Sequence, residues 1–491
     1  IVAAHPSPQL GDHSGGVVGQ RTVEPGRRAL LVAERRQQAR RAGQRRASRE
    51  LLGGSHRASL EPGQREGRRT PGAERAAGFT LGGVRSGPTT LVGVSAVRSV
   101  LLLCWRDTGH PQGGGSERYL ERVAAELAVD GLTVTLRTAG YPGAPAREER
   151  DGYTISRGGG RFTVYPRALG AMLAARIGRG PLASAVPDVV VDTQNGVPFF
   201  ARWAGRPTVV LVHHCHRAQW PVAGRLIGRI GWFIESRLAP AVYRRSQYLT
   251  VSVPSRADLI DLGIDGDRIA IARGGLDTVP SNLPAPQHDS QRLCVLSRLV
   301  PHKQIEHALT AVARLQHRHP GIALDVIGDG WWHDELMKRA MELGITDRVV
   351  FHGRVSEYDK YRLLGEASVL LMPSRTEGWG LSVIEAAQRG VPTIGYRSSR
   401  GLTDSVESGV TGMLVDDLDE FVGATEQLLD DPARARSLGA AARSRAEAYS
   451  WPDTASAVRR VIDAAASGRS IRGVITASDD AADQPLPAQA R

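Results

Sequence analysis

The sequence predicts an α/β fold: two Rossmann-like, doubly wound domains facing a cleft, with disordered N- and C-terminal tails. Three observations carry the prediction. Short apolar runs of buried-strand type alternate with helical periods from Ser99 onward, which implies parallel sheets covered by helices on both faces. The alternation breaks at a proline-rich stretch, 277–290, and then restarts. The chain of 491 residues is too long for one core, and its 41% hydrophobic content suffices for two.

Residues 1–95 are rich in Arg, Gly, Ala and Ser and show no sustained apolar period, so a disordered tail is expected. This tail holds 16 Arg, no Lys and 7 acidic residues, which is most of the excess behind the net charge of +12. An Arg-rich arm suits nucleic acid, but side chains for stacking on bases are nearly absent, and no nucleic-acid partner is expected. The apolar run at 91–105 is split by Arg98 and followed by no small-residue cleavage site, so it is not read as a signal peptide. No run of 18 apolar residues predicts a membrane span. Three cysteines, Cys104, Cys215 and Cys294, exclude a disulfide scaffold and fit a reducing, cytoplasmic location.

The N-terminal domain is drawn at 96–279. Strand SVLLLCW (99–105), glycine-rich loop HPQGGGSE (110–117), helix RYLERVAAELAVDG (118–131) and strand LTVTLRTA (132–139) make a βαβ unit. Further strands are predicted at 188–192, 208–213 and 248–253. A helix at 222–244 mixes Arg225, Arg229 and Arg237 with Leu226, Ile230, Trp232 and Phe233. Ordinary packing of its apolar face is expected, since no strong polar face is evident; the alternative is peripheral contact with anionic lipid at the inner face of the cell membrane. After a linker at 280–290, the C-terminal domain (291–450) has strands at 292–298, 322–328, 348–353, 367–373 and 392–396 and a helix at 305–318. A terminal helix occupies 451–468, with Pro452 in its first turn, and 469–491 is a second disordered tail. Ligands of such sheets bind beyond the carboxyl ends of the strands, so the cleft is the expected site.

Four motifs carry chemistry. SRTEGWGLSVIEAAQRGV (374–391) follows a buried strand and opens a helix, with seven residues between Glu377 and Glu385. Gly378 and Gly380 admit a close backbone approach, and the helix N-terminus offers free N–H groups to an anion. The Glu385 carboxylate suits a ribose diol and Glu377 a second polyol. In SRLVPHK (297–303), Arg298 and Lys303 project over the sheet edge toward the same anion, Arg as a fork and Lys as a point charge. The chain has only three lysines, Lys303, Lys338 and Lys360, which makes a lysine there informative. The glycines at 113–115 are a weaker candidate for cradling phosphate. His213-His214-Cys215-His216 has no second ligand pair at metal spacing, so no metal is expected, and a strand-end histidine in the cleft reads as a hydrogen-bonding group.

Taken in order, GGGSE (113–117), VSVPSRADLIDLGI (251–264), SRLVPHK, VIGDG (326–330), FHGRV (351–355), EGWGLSVIEAAQRGVP (377–392) and TGMLV (411–415) resemble the bacterial retaining glycosyltransferases of family 4, which have the GT-B fold. The resemblance spans about 99–466. It implies transfer of a hexose from a UDP- or GDP-linked nucleotide sugar to a hydroxyl of a glycan or lipid-linked acceptor, with no metal or other cofactor. It implies that Glu385 binds the nucleotide ribose and Glu377 the hydroxyls of the transferred sugar. Arg298 and Lys303 neutralise the diphosphate, helped by backbone N–H groups at Gly380 and Leu381 and by the loop at Gly114 and Gly115. His213 hydrogen-bonds the sugar near the reacting carbon. The catalytic set so implied is His213, Arg298, Lys303 and Glu377; Gly378 completes the donor-binding set. Two alternatives stand beside this reading: a nucleotide-sugar epimerase of the same fold, and nucleic-acid binding through the Arg-rich tail.

Overall fold

The computed structural model describes residues 97–217, 219–220, 224–288 and 291–476. The expected tail at 1–95, and with it the nucleic-acid alternative, lies outside the described residues, as does most of the second tail. Two sheets form the body. The first runs through β1 (Ser99–Leu103), α1 (Gly115–Val129), β2 (Thr133–Thr138), β3 (Arg147–Arg150), β4 (Tyr153–Arg157), α2 (Val164–Ala175), β5 (Val189–Thr193), β6 (Thr208–Val212), α3 (Arg225–Phe233), β7 (Gln247–Thr250), α4 (Val253–Asp261) and β8 (Ile269–Ile271). Its order is β8-β7-β6-β5-β1-β2-β4-β3, parallel except for the β3–β4 hairpin. The central strands are buried over nearly their whole length, as VLLL in β1 and TVVLV in β6 require when helices cover both faces.

The second sheet is built from β9 (Arg292–Leu296), α5 (Ile305–Leu315), β10 (Ala323–Ile327), α6 (His333–Glu342), β11 (Val349–Gly353), α7 (Glu357–Glu366), β12 (Val369–Met372), α8 (Leu381–Gln388), β13 (Thr393–Tyr396), β14 (Gly412–Val415), α9 (Leu418–Asp430) and α10 (Pro432–Ala446). The order β11-β10-β9-β12-β13-β14 is parallel throughout, with Cys294 of β9 opposite both Asp325 and Leu370. The chain winds outward from β9 in one direction and from β12 in the other. The switch point between β9 and β12 therefore opens a crevice at their carboxyl ends.

The strands read from the sequence are all present, most trimmed by one to three residues in total; 188–192 is shifted by one residue, to Val189–Thr193, and 248–253 starts one residue earlier and ends three earlier, at Gln247–Thr250. Four features differ from that reading or go beyond it. The β3–β4 hairpin escaped the sequence reading because RDGY turns within a charged segment; Asp151 and Gly152 both take positive φ (44° and 83°), as a tight hairpin turn needs. The terminal helix, α11 (Trp451–Ala466), packs back onto α1 and the strands of the first sheet rather than the second. Ser450 caps it by accepting from the Asp453 N–H at 3.2 Å, and Thr454 Oγ1 donates to the Arg273 carbonyl at 2.9 Å. Part of the segment read as a polar tail is structured: β15 (Gly473–Val474) pairs in parallel with β8, because Gln247 holds both the N–H and the carbonyl of Ile471.

The fourth is a correction. The helix expected over 222–244 is α3, a π-helical turn at Ile234–Leu238 and a short helix at Ala239–Val242. Its apolar side chains do not pack inward: Leu226, Ile227, Ile230 and Phe233 are exposed, while Gly228 and Gly231 are buried. The Trp220 ring takes the inner face, so close to Gly231 that a Cβ there would sit 2.0 Å from it.

Candidate active site

The carboxyl ends of β9 and β12 bring together three of the four residues proposed to be catalytic. Arg298 and Lys303 lie on the loop after β9, and Glu377 on the loop after β12. His213, the residue after β6, faces them from the first domain, and all four line one cavity of about 180 Å³ with Gly115, Gly378, Gly380 and Leu381. A wider cavity of about 650 Å³ joins it along Gly115, Ser297, Arg298 and Leu381 and reaches Gly114, Glu385 and Lys360. A third, of about 340 Å³, meets the first at Ser116, His214, Arg298 and His302 and is walled by Trp105, Trp331, Arg106 and Arg161. The small chamber thus sits between two larger ones.

Close backbone approach holds the small chamber together. At Gly378 a Cβ would lie 2.6 Å from the His213 carbonyl oxygen, so only glycine lets the two loops touch. The serines at the start of α4 clamp both loops: Ser252 Oγ donates to the Gly378 carbonyl at 2.6 Å, and Ser255 Oγ to the His213 carbonyl at 2.9 Å. Gly380 caps α8 with φ of 95°, a conformation that a side chain resists. The N–H groups of Leu381 and Ser382 at the start of α8, and of Gly115 and Ser116 at the start of α1, have no intrahelical acceptors, and these residues line the cavities. The N–H of Gly114 is spent: it donates to Glu117 Oε2 at 2.8 Å. What Gly114 contributes is space, since a Cβ there would lie 2.9 Å from Arg298 Nε.

The electrostatics are uneven. Among the described residues the Arg298 guanidinium makes no hydrogen bond or ion pair. Burial, with repulsion from Arg106, lowers its pKa to about 10, partly opposed by Glu117 and Glu377, so it stays cationic at neutral pH. Lys303 Nζ donates to Glu377 Oε1 at 2.5 Å, and Lys360 Nζ donates to Glu385 Oε1 and to Glu357 Oε2, both at 2.7 Å. Two of the three lysines in the chain therefore neutralise the two glutamates of the motif. Burial lowers His213 to about 4, so its imidazole is neutral at pH 7, and its buried Nε2 has no hydrogen-bond partner. His214 meets Gln219 at 2.9 Å and His216 meets Glu235 at 3.2 Å, so those two rings are engaged elsewhere.

Several residues at the site escaped the sequence reading. Lys360 was visible only as a rare residue type. Arg118 of α1 reaches across the cleft to Glu357, at 2.8 Å, and also pairs with Asp277. Burial would raise the Glu357 carboxyl, but Arg118 and Lys360 override it and hold it at about 2. Glu117, fully buried, accepts from Arg106 Nε at 2.8 Å and fixes the glycine loop.

Comparison with known proteins identifies the family. Residues 113–279 match the model of Glycosyltransferase Family 4, and residues 283–445 that of Glycosyl transferases group 1. The GDP-mannose-dependent α-(1-6)-phosphatidylinositol monomannoside mannosyltransferase of Mycolicibacterium smegmatis is 30% identical over 349 residues, covering 68% of this chain and 90% of that protein. The chain belongs to the family 4 glycosyltransferases of GT-B fold. Another relative of this glycosyltransferase is the MMP α-(1→4)-mannosyltransferase of Mycolicibacterium hassiacum, 29% identical over 72% of this chain and 95% of that one. Among solved structures, sucrose-phosphate synthase from Thermosynechococcus elongatus shares the fold, with a TM-score of 0.61 at 21% identity over 74% of this chain and 98% of that one. The glycosyltransferase thus moves a sugar from a nucleotide-sugar donor, and the switch-point crevice is where its parts converge. No helix among the described residues is long and apolar enough to cross a membrane.

Proposed function

We propose that this enzyme transfers a hexose, with retention at the anomeric carbon, from a nucleoside diphosphate sugar to a hydroxyl of a glycan or lipid-linked acceptor. The observation that carries the reading is the unpaired Arg298 guanidinium beside Lys303 and the α8 N-terminus, a cationic pocket shaped for a leaving diphosphate. The nucleotide occupies the wide cavity, with its ribose on Glu385. The sugar fills the small chamber between Glu377 and His213, and the acceptor enters from the third cavity. Breaking the sugar–phosphate bond leaves positive charge on the sugar ring and negative charge on the diphosphate, which Arg298 and Lys303 stabilise. The acceptor hydroxyl attacks from the leaving-group face and passes its proton to the departing phosphate oxygen. GDP-mannose is the first donor to test, given the relatives. Nuclear magnetic resonance of the product should show the same anomeric configuration as the donor; an inverted product overturns the reading.

His213 contributes as a neutral hydrogen-bonding group. Its pKa of about 4 means that it should not titrate near the usual 6.5. We expect kcat/KM to show no histidine step between pH 6 and 8, and an acid limb near pH 4 that His213→Asn abolishes. Stability follows the same linkage. Below about 6.5 the unfolded imidazole takes a proton that the buried one refuses until about 4, so this group makes the fold less stable as pH drops through that window. A step near pH 6.5 that vanishes in His213→Asn would show that the ring is solvated and the assignment mistaken.

A further inference from the structure

Helix α3 leaves a continuous apolar face outside the protein. Leu226 is 72% exposed, Ile227 52%, Ile230 52% and Phe233 58%. Their spacing places them on one side of the helix. Arg225, Arg229, Arg237, Arg244 and Arg245 are exposed on the same segment, and its one acidic residue between 224 and 245, Glu235, is buried. Four large apolar side chains beside arginines, with no exposed carboxylate to repel phosphate, form a surface complementary to an anionic bilayer. A cavity of about 420 Å³ at the flank of α3, lined by Arg217, Trp220, Arg225, Arg229 and Trp232, offers cations and aromatic walls to a lipid phosphate.

The helix is tied to the active site. The π-helical turn after α3 directs Glu235 inward, where it accepts from Trp220 Nε1 at 2.5 Å and from the His216 N–H at 2.9 Å. His216 lines the third cavity, the one assigned above to the acceptor. We propose that α3 docks on the anionic phospholipid surface of a bilayer, with Leu226, Ile227, Ile230 and Phe233 inserted at the headgroup boundary, and so holds the acceptor cavity against the membrane. This deepens the lipid-linked reading of the acceptor and rests on it.

The test uses the full chain, with its Arg-rich N-terminal segment, and vesicles of phosphatidylcholine with or without phosphatidylglycerol. The triple variant Leu226→Ser, Ile230→Ser, Phe233→Ser leaves every arginine in place, so it separates insertion of α3 from attraction by the rest of the chain. In co-sedimentation, the native protein should bind phosphatidylglycerol vesicles and not pure phosphatidylcholine. The triple variant should bind at least about tenfold more weakly, from the loss of three inserted apolar side chains. Hydrolysis of nucleotide sugar in the absence of vesicles should be equal in the two proteins, and it reports on the transferase reading separately. Undiminished binding by the triple variant overturns the proposal. So does a native protein that ignores both vesicle types, or a native dimer that the variant turns into a monomer, which would give the face to a second copy of the chain.

Discussion

Arg298→Ala lowers the rate of sugar transfer by roughly two to three powers of ten and leaves the protein at least as stable as before. The two halves of this expectation come from one geometry. The guanidinium makes no ion pair or hydrogen bond among the described residues, and burial and Arg106 act against its charge more than the nearby Glu117 and Glu377 support it. In the free enzyme it is therefore a cost to stability. Only an anion in the cleft repays it, most fully when the sugar–phosphate bond breaks and charge accumulates on the diphosphate. Removing it relieves repulsion in the free protein and removes stabilisation from the transition state. Thermal unfolding together with single-turnover kinetics checks both at once. Arg298→Lys should recover part of the rate, because the charge returns without the planar fork. A variant that unfolds at lower temperature and transfers sugar at the native rate would make Arg298 a structural residue.

The second large effect separates the two glutamates. Glu385→Ala should weaken the binding of the free nucleoside diphosphate by roughly ten- to a hundredfold, the range expected for losing hydrogen bonds from a charged acceptor. Glu377→Ala should leave that affinity unchanged or slightly tighter. Its carboxylate is paired with Lys303 at 2.5 Å, and removing it frees an ammonium for the diphosphate. Turnover should nevertheless fall by about a hundredfold, because the sugar loses the group that orients its hydroxyls. Titration calorimetry of each variant with the diphosphate and with the complete donor yields four affinities. Lys360→Ala belongs in the same series: it strips Glu385 and Glu357 of a shared partner and should resemble a milder Glu385→Ala. If both glutamate variants lose diphosphate affinity equally, the division of labour between ribose and sugar is wrong.

The sequence by itself determined the class of fold, the two-domain plan and the loops that carry the site. Buried parallel strands such as TVVLV and LCVL must be apolar on both faces, so they stand out in the sequence without any knowledge of their neighbours. Gly378 and Gly380 stand out because strand, glycines and helix are contiguous in the chain. Only the tertiary structure decided which charges meet. Lys360 lies 25 residues from Glu385, and Arg118 lies 239 residues from Glu357; nothing local in either segment names the partner. The same holds for α11, whose apolar stripe suits either domain and which returns to the first because α1 offers it a surface there. It holds for α3 as well. Its composition reads as an ordinary packed helix, and its apolar face is left outside because the Trp220 ring and two small glycines already fill the inner side. Periodicity states that a face is apolar, and packing against the rest of the chain decides whether that face is covered.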